Sequence, residues 1–168
     1  MNIFRFTETS PRKHPFQLVR HWSEVPESKK EYPYLWQTKY DGVFTAFVNY
    51  QGNCLPFGRS GKLFNNLQFL CIRLNEYANY EDGIFISEVI NNEISVEELS
   101  GLVNPNRVNP LTTDQLHYLY SSEFKLFDHL SIDEFRRAHS DANYTLRHFV
   151  LREIFEPRDI SMYGLANN

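Results

Sequence analysis

Lys39-Tyr40-Asp41-Gly42 stands between two apolar runs, Tyr32-Pro33-Tyr34-Leu35-Trp36-Gln37-Thr38 before it and Val43-Phe44-Thr45-Ala46-Phe47-Val48 after it. Both runs read as strands, so the tetrad marks a strand-to-strand junction. A lysine, an acid two residues on and a glycine at such a junction suit an amine nucleophile that attacks a phosphate. The amine attacks only when neutral, so the chemistry asks for a rigid, partly desolvated lysine. The glycine lets the backbone turn close to a ligand, and the acid orients its neighbours. The plain alternative is a hairpin junction in which Asp41-Gly42 is turn punctuation and Lys39 is solvated.

Outward from the tetrad, the pattern continues as alternating strands and helices. The first strand is expected at about 33–38 and the second at about 43–50, closed by a turn at Gln51-Gly52-Asn53. A short strand, Leu55-Pro56-Phe57, runs into the glycine-bounded loop Gly58-Arg59-Ser60-Gly61. Apolar residues at 67, 69, 70, 72, 74 and 77 predict a helix, and Gly83–Ile90 predicts a buried strand with one acid, Glu88, inside it. Ser95 opens a capped turn that gives way at Gly101 to a loop reaching Pro110, and Thr112 or Thr113 caps a helix through Tyr120. Glu123–Asp128 is another strand, Ser131-Ile132-Asp133-Glu134 resembles a capping box, and 144–155 has helical spacing. The result is an antiparallel-leaning α+β fold, with residues 1–168 as a single domain. Residues 15–22 supply the one apolar anchor of a polar N-terminal stretch.

Hydrophobic content of 42% and aromatic content of 15%, with 14 Phe and 10 Tyr, argue for a packed core. Cys54 and Cys71 show neither metal-ligand spacing nor a disulfide framework, which points to a reducing cytoplasm. No apolar stretch is long enough to cross a membrane, and the N-terminus is not patterned as a signal peptide. The six histidines, at 14, 21, 117, 129, 139 and 148, show no metal spacing. A net charge of −4 speaks against a chain-wide electrostatic clamp on nucleic acid, though a local basic surface is compatible with it.

Four segments occur in a telling order: Lys39-Tyr40-Asp41-Gly42, Arg59-Ser60-Gly61, Ile86-Ser87-Glu88, and Phe124-Lys125-Leu126-Phe127-Asp128. The first resembles K-x-D-G, the leading motif of the covalent nucleotidyltransferases: DNA ligases, RNA ligases and mRNA capping enzymes. The second resembles R-x-G. The third resembles the D-G-E strand, with Ile86-Ser87 in place of Asp-Gly. The fourth resembles the aromatic-Asp segment. Together, over about residues 15–155, they resemble the adenylation domain of ATP-dependent DNA ligases of the compact viral and phage type. The fold this implies is the N-terminal part of an antiparallel-sheet nucleotidyltransferase, an ATP-grasp-like architecture.

The resemblance implies roles residue by residue. Lys39 would attack the α-phosphate of ATP and form lysyl-AMP. Asp41 and Gly42 would shape its loop, and Gln37 would contact the adenine. Arg59 would hold ribose or a nick 5′-phosphate, Glu88 would hold ribose or Mg²⁺, and Phe127 would stack on the base. Only 38 residues precede Lys39, too few for the upstream domain of NAD-dependent ligases, so ATP is the expected cofactor and nicked DNA the expected substrate. The sequence departs from the family where two lysine-bearing motifs and an OB barrel should follow: no lysine occurs after Lys125. The expectation is a split ligase acting in replication or repair, with a second subunit carrying the missing motifs and OB domain, in the cytoplasm of a host cell if viral. A truncated enzyme, a capping-type guanylyltransferase using GTP and a non-catalytic binding module are the alternatives. A split enzyme would expose an apolar patch for its partner, and 144–155 is the candidate.

Overall fold

The computed structural model of the chain describes residues 22–30 and 37–155. Four strands form one antiparallel sheet: β1 (Val43–Tyr50), β2 (Asn53–Phe57), β3 (Gly83–Ile90) and β4 (Glu123–Leu130), in the spatial order β2-β1-β3-β4. The α-helices among the described residues are α1 (Gln68–Tyr77), α2 (Val96–Val103), α3 (Thr113–Tyr120), α4 (Ile132–Arg137) and α5 (Tyr144–Phe155). This is the expected α+β arrangement.

Local chemistry explains most boundaries. The β1–β2 hairpin turns at Gln51 and Gly52, whose φ values of 52° and 76° match the two-residue turn that suits twisted strands. Ser95, Thr112 and Ser131 each form a capping box with the residue three positions on, starting α2, α3 and α4. Three expectations shift. Asn53, expected in the turn, is the first residue of β2. Gly101 lies inside α2 rather than opening a loop, because Leu102 and Val103 bury another turn of helix behind it. β4 runs to Leu130, two residues beyond the expected end. Of the strand expected at 33–38, residues 33–36 lie outside the described residues, and Gln37–Asp41 has no regular structure. The anchor at 15–22 falls outside them up to His21.

Strand alternation splits the apolar residues between two cores. One face of the sheet carries Phe47, Phe85, Val89, Phe124 and Leu126, packed against Leu70 and Leu74 of α1, Leu99 and Leu102 of α2, Leu119 of α3, and Leu151 and Phe155 of α5. The other face carries Ala46, Val48, Phe57, Ile84 and Ile86, covered in part by Ile132 and Phe135 of α4. This second cluster is smaller, and polar residues continue its rows. It is the face that carries the candidate site.

Candidate functional site

Glu88 is the centre of the arrangement. It follows Ile84 and Ile86 along one face of β3, opposite Phe44 on β1 and Lys125 on β4. Its side chain is partly buried, and among the described residues its Oε2 has no hydrogen-bond partner. Loss of hydration pushes its pKa up to about 7; the positive charges of Arg59 and Lys39 pull it back down, and Asp41 opposes them. A carboxylate so placed is short of partners, which is the condition of a group built to meet a ligand.

Arg59 reaches this face from the loop after β2. The loop is tight: the Gly61 amide donates to the Gly58 carbonyl at 2.9 Å, and Gly61 has φ 78°. A side chain on Gly58 would run into the Phe64 ring, its Cβ lying 2.5 Å from the ring edge. The exposed Arg59 guanidinium stacks 4.7 Å from the centre of the Phe44 ring, directly across from Glu88.

The segment Gln37–Asp41 brings Lys39 to the same place. Lys39 is exposed, which corrects the expectation of a partly desolvated lysine: the irregular segment lies outside the sheet and nothing described covers the amine. Gly42 is also read differently. A Cβ there would sit 2.5 Å from the Val89 carbonyl oxygen and 2.8 Å from Ile90 Cγ2, so the glycine permits close approach to β3. Asp41 is exposed, and Tyr40 packs near Lys125, whose Nζ lies 5.9 Å from the ring centre.

Phe127 owes its position to a bulge. Ile86 pairs with Asp128 but Ser87 pairs with Leu126, so Phe127 is an extra residue in β4. It is partly buried against the smaller apolar cluster. Its carbonyl accepts hydrogen bonds from Tyr144 Oη at 2.6 Å and Gln37 Nε2 at 3.5 Å. The next residue, Asp128, receives Arg147 in a two-pronged pair, Nε to Oδ1 and Nη2 to Oδ2, each at 2.9 Å.

The fold thus gathers Lys39, Asp41, Arg59 and Glu88, with Gln37 and Phe127 beside them. Sequence reasoning missed Lys125, Tyr144 and Arg147. Lys125 was legible from alternation, since it sits out of phase with the buried Phe124 and Leu126; the contacts of Tyr144 and Arg147 depend on how α5 packs and had no sequence signal. Among the described residues, no group of three or more His, Cys, Asp or Glu is placed to hold a metal. No described helix is long and apolar enough to cross a membrane.

No family model matches the sequence, and no curated protein matches it. Solved structures do match. A structure called Pmar-Lig_PreS3 superposes with a TM-score of 0.61 at 18% identity, covering 78% of this chain and 29% of that one. One called Pmar-Lig_Pre. gives 0.53 at 18% identity, covering 70% and 26%. The ATP-dependent DNA ligase from bacteriophage T7, in complex with ATP, gives 0.56 at 18% identity, covering 78% and 47%. The chain therefore spans less than half the length of each of these proteins, and at such identity the likeness is one of fold. The fold is that of part of an ATP-dependent DNA ligase, as the four motifs implied.

Proposed function

We propose that the chain is the nucleotide-accepting part of an ATP-dependent DNA ligase, with Lys39 as its nucleophile. The observation that carries this reading is the convergence of Lys39 and Arg59 on one half-buried, under-satisfied carboxylate, Glu88, beside Phe127. Lys39 would lose a proton to solvent, and its Nζ would attack the α-phosphorus of ATP. The P–N bond of lysyl-AMP forms as the bond to the bridging oxygen breaks, and pyrophosphate leaves with the electron pair. Arg59 would hold ribose or phosphate oxygens. Glu88 would accept from a ribose hydroxyl or hold Mg²⁺, Gln37 would meet the adenine edge, and Phe127 would lie under the ring. Asp41 and Gly42 would keep the Lys39 segment against β3.

The donor set fits magnesium of one kind only. A single carboxylate without a described cluster suits an ion held mainly by nucleotide phosphates, the usual habit of Mg²⁺. When bound, the ion would neutralise charge developing on the phosphates. Transfer of AMP to a nick 5′-phosphate and sealing by the 3′-hydroxyl would require the phosphate-binding lysines and OB barrel on a second polypeptide. The exposure of Lys39 favours one rival, a nucleotide- or partner-binding module without catalysis.

The test is incubation of the purified chain with α-labelled ATP and magnesium, followed by denaturing electrophoresis, beside Lys39→Ala and a parallel GTP reaction. A labelled band that the substitution abolishes supports the reading, and labelling by GTP instead would favour the capping type. Failure to label, persisting when candidate second subunits are supplied, would leave the non-catalytic module.

A further inference from the structure

α5 does more than cover the core. Through Tyr144 it reaches the Phe127 carbonyl at 2.6 Å, and through Arg147 it clamps Asp128 with two bonds of 2.9 Å. The Asp128 and Arg147 side chains are 14% and 19% exposed, and Arg147 Nη1 also donates to the Ala142 carbonyl at 2.8 Å. These contacts grip β4 at its bulge, where the ladder to β3 slips. They also reach the nucleophile's segment: the Phe127 carbonyl that accepts from the Tyr144 hydroxyl accepts from the Gln37 side-chain amide as well, at 3.5 Å. Gln37 lies two residues before Lys39. One carbonyl, that of Phe127, is thus the meeting point of α5 and the lysine-bearing segment.

We infer that Tyr144 and Arg147 are positioning residues that fix Phe127 and the Gln37–Lys39 segment in the geometry needed for a purine nucleotide. The inference rests on the reading of Phe127 and Gln37 as base contacts. A bulge is left locally unpaired, so its side chain is aimed only as well as its neighbours hold it. Arg147 supplies a planar fork that a lysine does not reproduce. Burial, and next the charge of Asp128, push the Tyr144 hydroxyl above its ordinary range, so it stays a donor at any working pH.

The test measures binding of magnesium-ATP and of inorganic tripolyphosphate to the whole chain, in wild type, Tyr144→Phe, Arg147→Lys, Phe127→Ala and the Tyr144→Phe/Phe127→Ala double variant. Tyr144→Phe removes one oxygen and keeps the ring, so folding is preserved. Tyr144→Phe and Arg147→Lys are each expected to weaken ATP by roughly 3- to 10-fold, the scale of one hydrogen bond, and Phe127→Ala by at least as much, while tripolyphosphate binding stays unchanged. In the double variant the losses should not add, since the hydroxyl acts through the ring. Equal weakening of both ligands would mean a merely structural role, and unchanged ATP affinity or additive losses would likewise overturn the inference. A wild-type chain that binds no ATP would instead refute the nucleotide-site reading, and this inference with it.

Discussion

Glu88→Gln should stabilise the chain while destroying its site, and the size of the gain follows from the environment of one carboxyl group. Burial raises the Glu88 pKa from an ordinary 4.5 to about 7, despite the opposing pull of Arg59 and Lys39. Between those values the unfolded chain has released the proton and the folded chain retains it. Stability therefore falls as pH rises from 4.5 to 7 and levels off above. At about 1.4 kcal/mol per unit, the full shift would correspond to roughly 3 kcal/mol. The side chain is only partly buried, and discounting for solvent leaves about 1–2 kcal/mol. Glutamine carries no such cost, so at pH 8 Glu88→Gln should raise Tm by about 3–6 °C for a domain of this size. At pH 4.5 the two proteins should melt together, because wild-type Glu88 is then protonated in the fold. Thermal unfolding followed by circular dichroism at the two pH values decides it. A variant no more stable than wild type at pH 8, or equally stabilised at both pH values, would refute the reasoning. The first of these outcomes is what a solvated surface glutamate would give.

His129 should give the opposite pH response. It is 7% exposed and its pKa is lowered to about 4 by burial, so between pH 6.5 and 4 the unfolded chain gains a proton that the fold refuses. Stability should fall through that window, and His129→Gln should flatten the fall, as read from urea midpoints against pH. Gly42→Ala should cost about 1–3 kcal/mol, because its Cβ would meet the Val89 carbonyl oxygen at 2.5 Å, and α-label incorporation should fall with it as the Lys39 segment is pushed off β3. Phe85→Ala should cost about 3–5 kcal/mol in equilibrium unfolding: the ring is fully buried, 4.8 Å from His129 and 6.0 Å from Phe155 between ring centres. Ser95→Ala, which breaks a capping box without touching the sheet, should cost about 1 kcal/mol.

What the sequence disclosed is what short-range chemistry decides. A short, nearly continuous apolar run placed β3 and period-3.6 spacing placed α5, and serine or threonine followed three residues later by glutamate or glutamine started three helices. The four motifs were legible because each keeps its chemistry within a few consecutive residues. Three features were not legible for a common reason: tertiary packing decides them. Gly101 stays helical because residues beyond it are buried by other elements. The exposure of Lys39 depends on what covers an irregular segment, which no periodicity reports. The bulge at Phe127 is a slip between β3 and β4, invisible in either strand alone. On α5, Leu146, Phe149 and Val150 are 53%, 56% and 38% exposed.

The demand for a desolvated lysine and the observed exposure of Lys39 fit together once the site is divided by element. Arg59, Glu88 and Phe127 are set on or beside strands whose opposite face is locked in the larger core, so their backbone positions are fixed by burial on the far side of the sheet. Lys39 is not on a strand. It lies in a short irregular segment held at both ends, by the Gln37 amide on the Phe127 carbonyl and by Gly42 against the backbone of β3. Such an attachment fixes where the lysine emerges without enclosing its amine. On the proposed reading, a nucleotide seated on Phe127 and Glu88 would itself displace water from around Nζ, so desolvation would accompany substrate binding. That order has a chemical merit. An amine kept neutral at all times would be reactive toward any phosphate or electrophile, whereas one desolvated only by the purine nucleotide is activated only where its target stands in line.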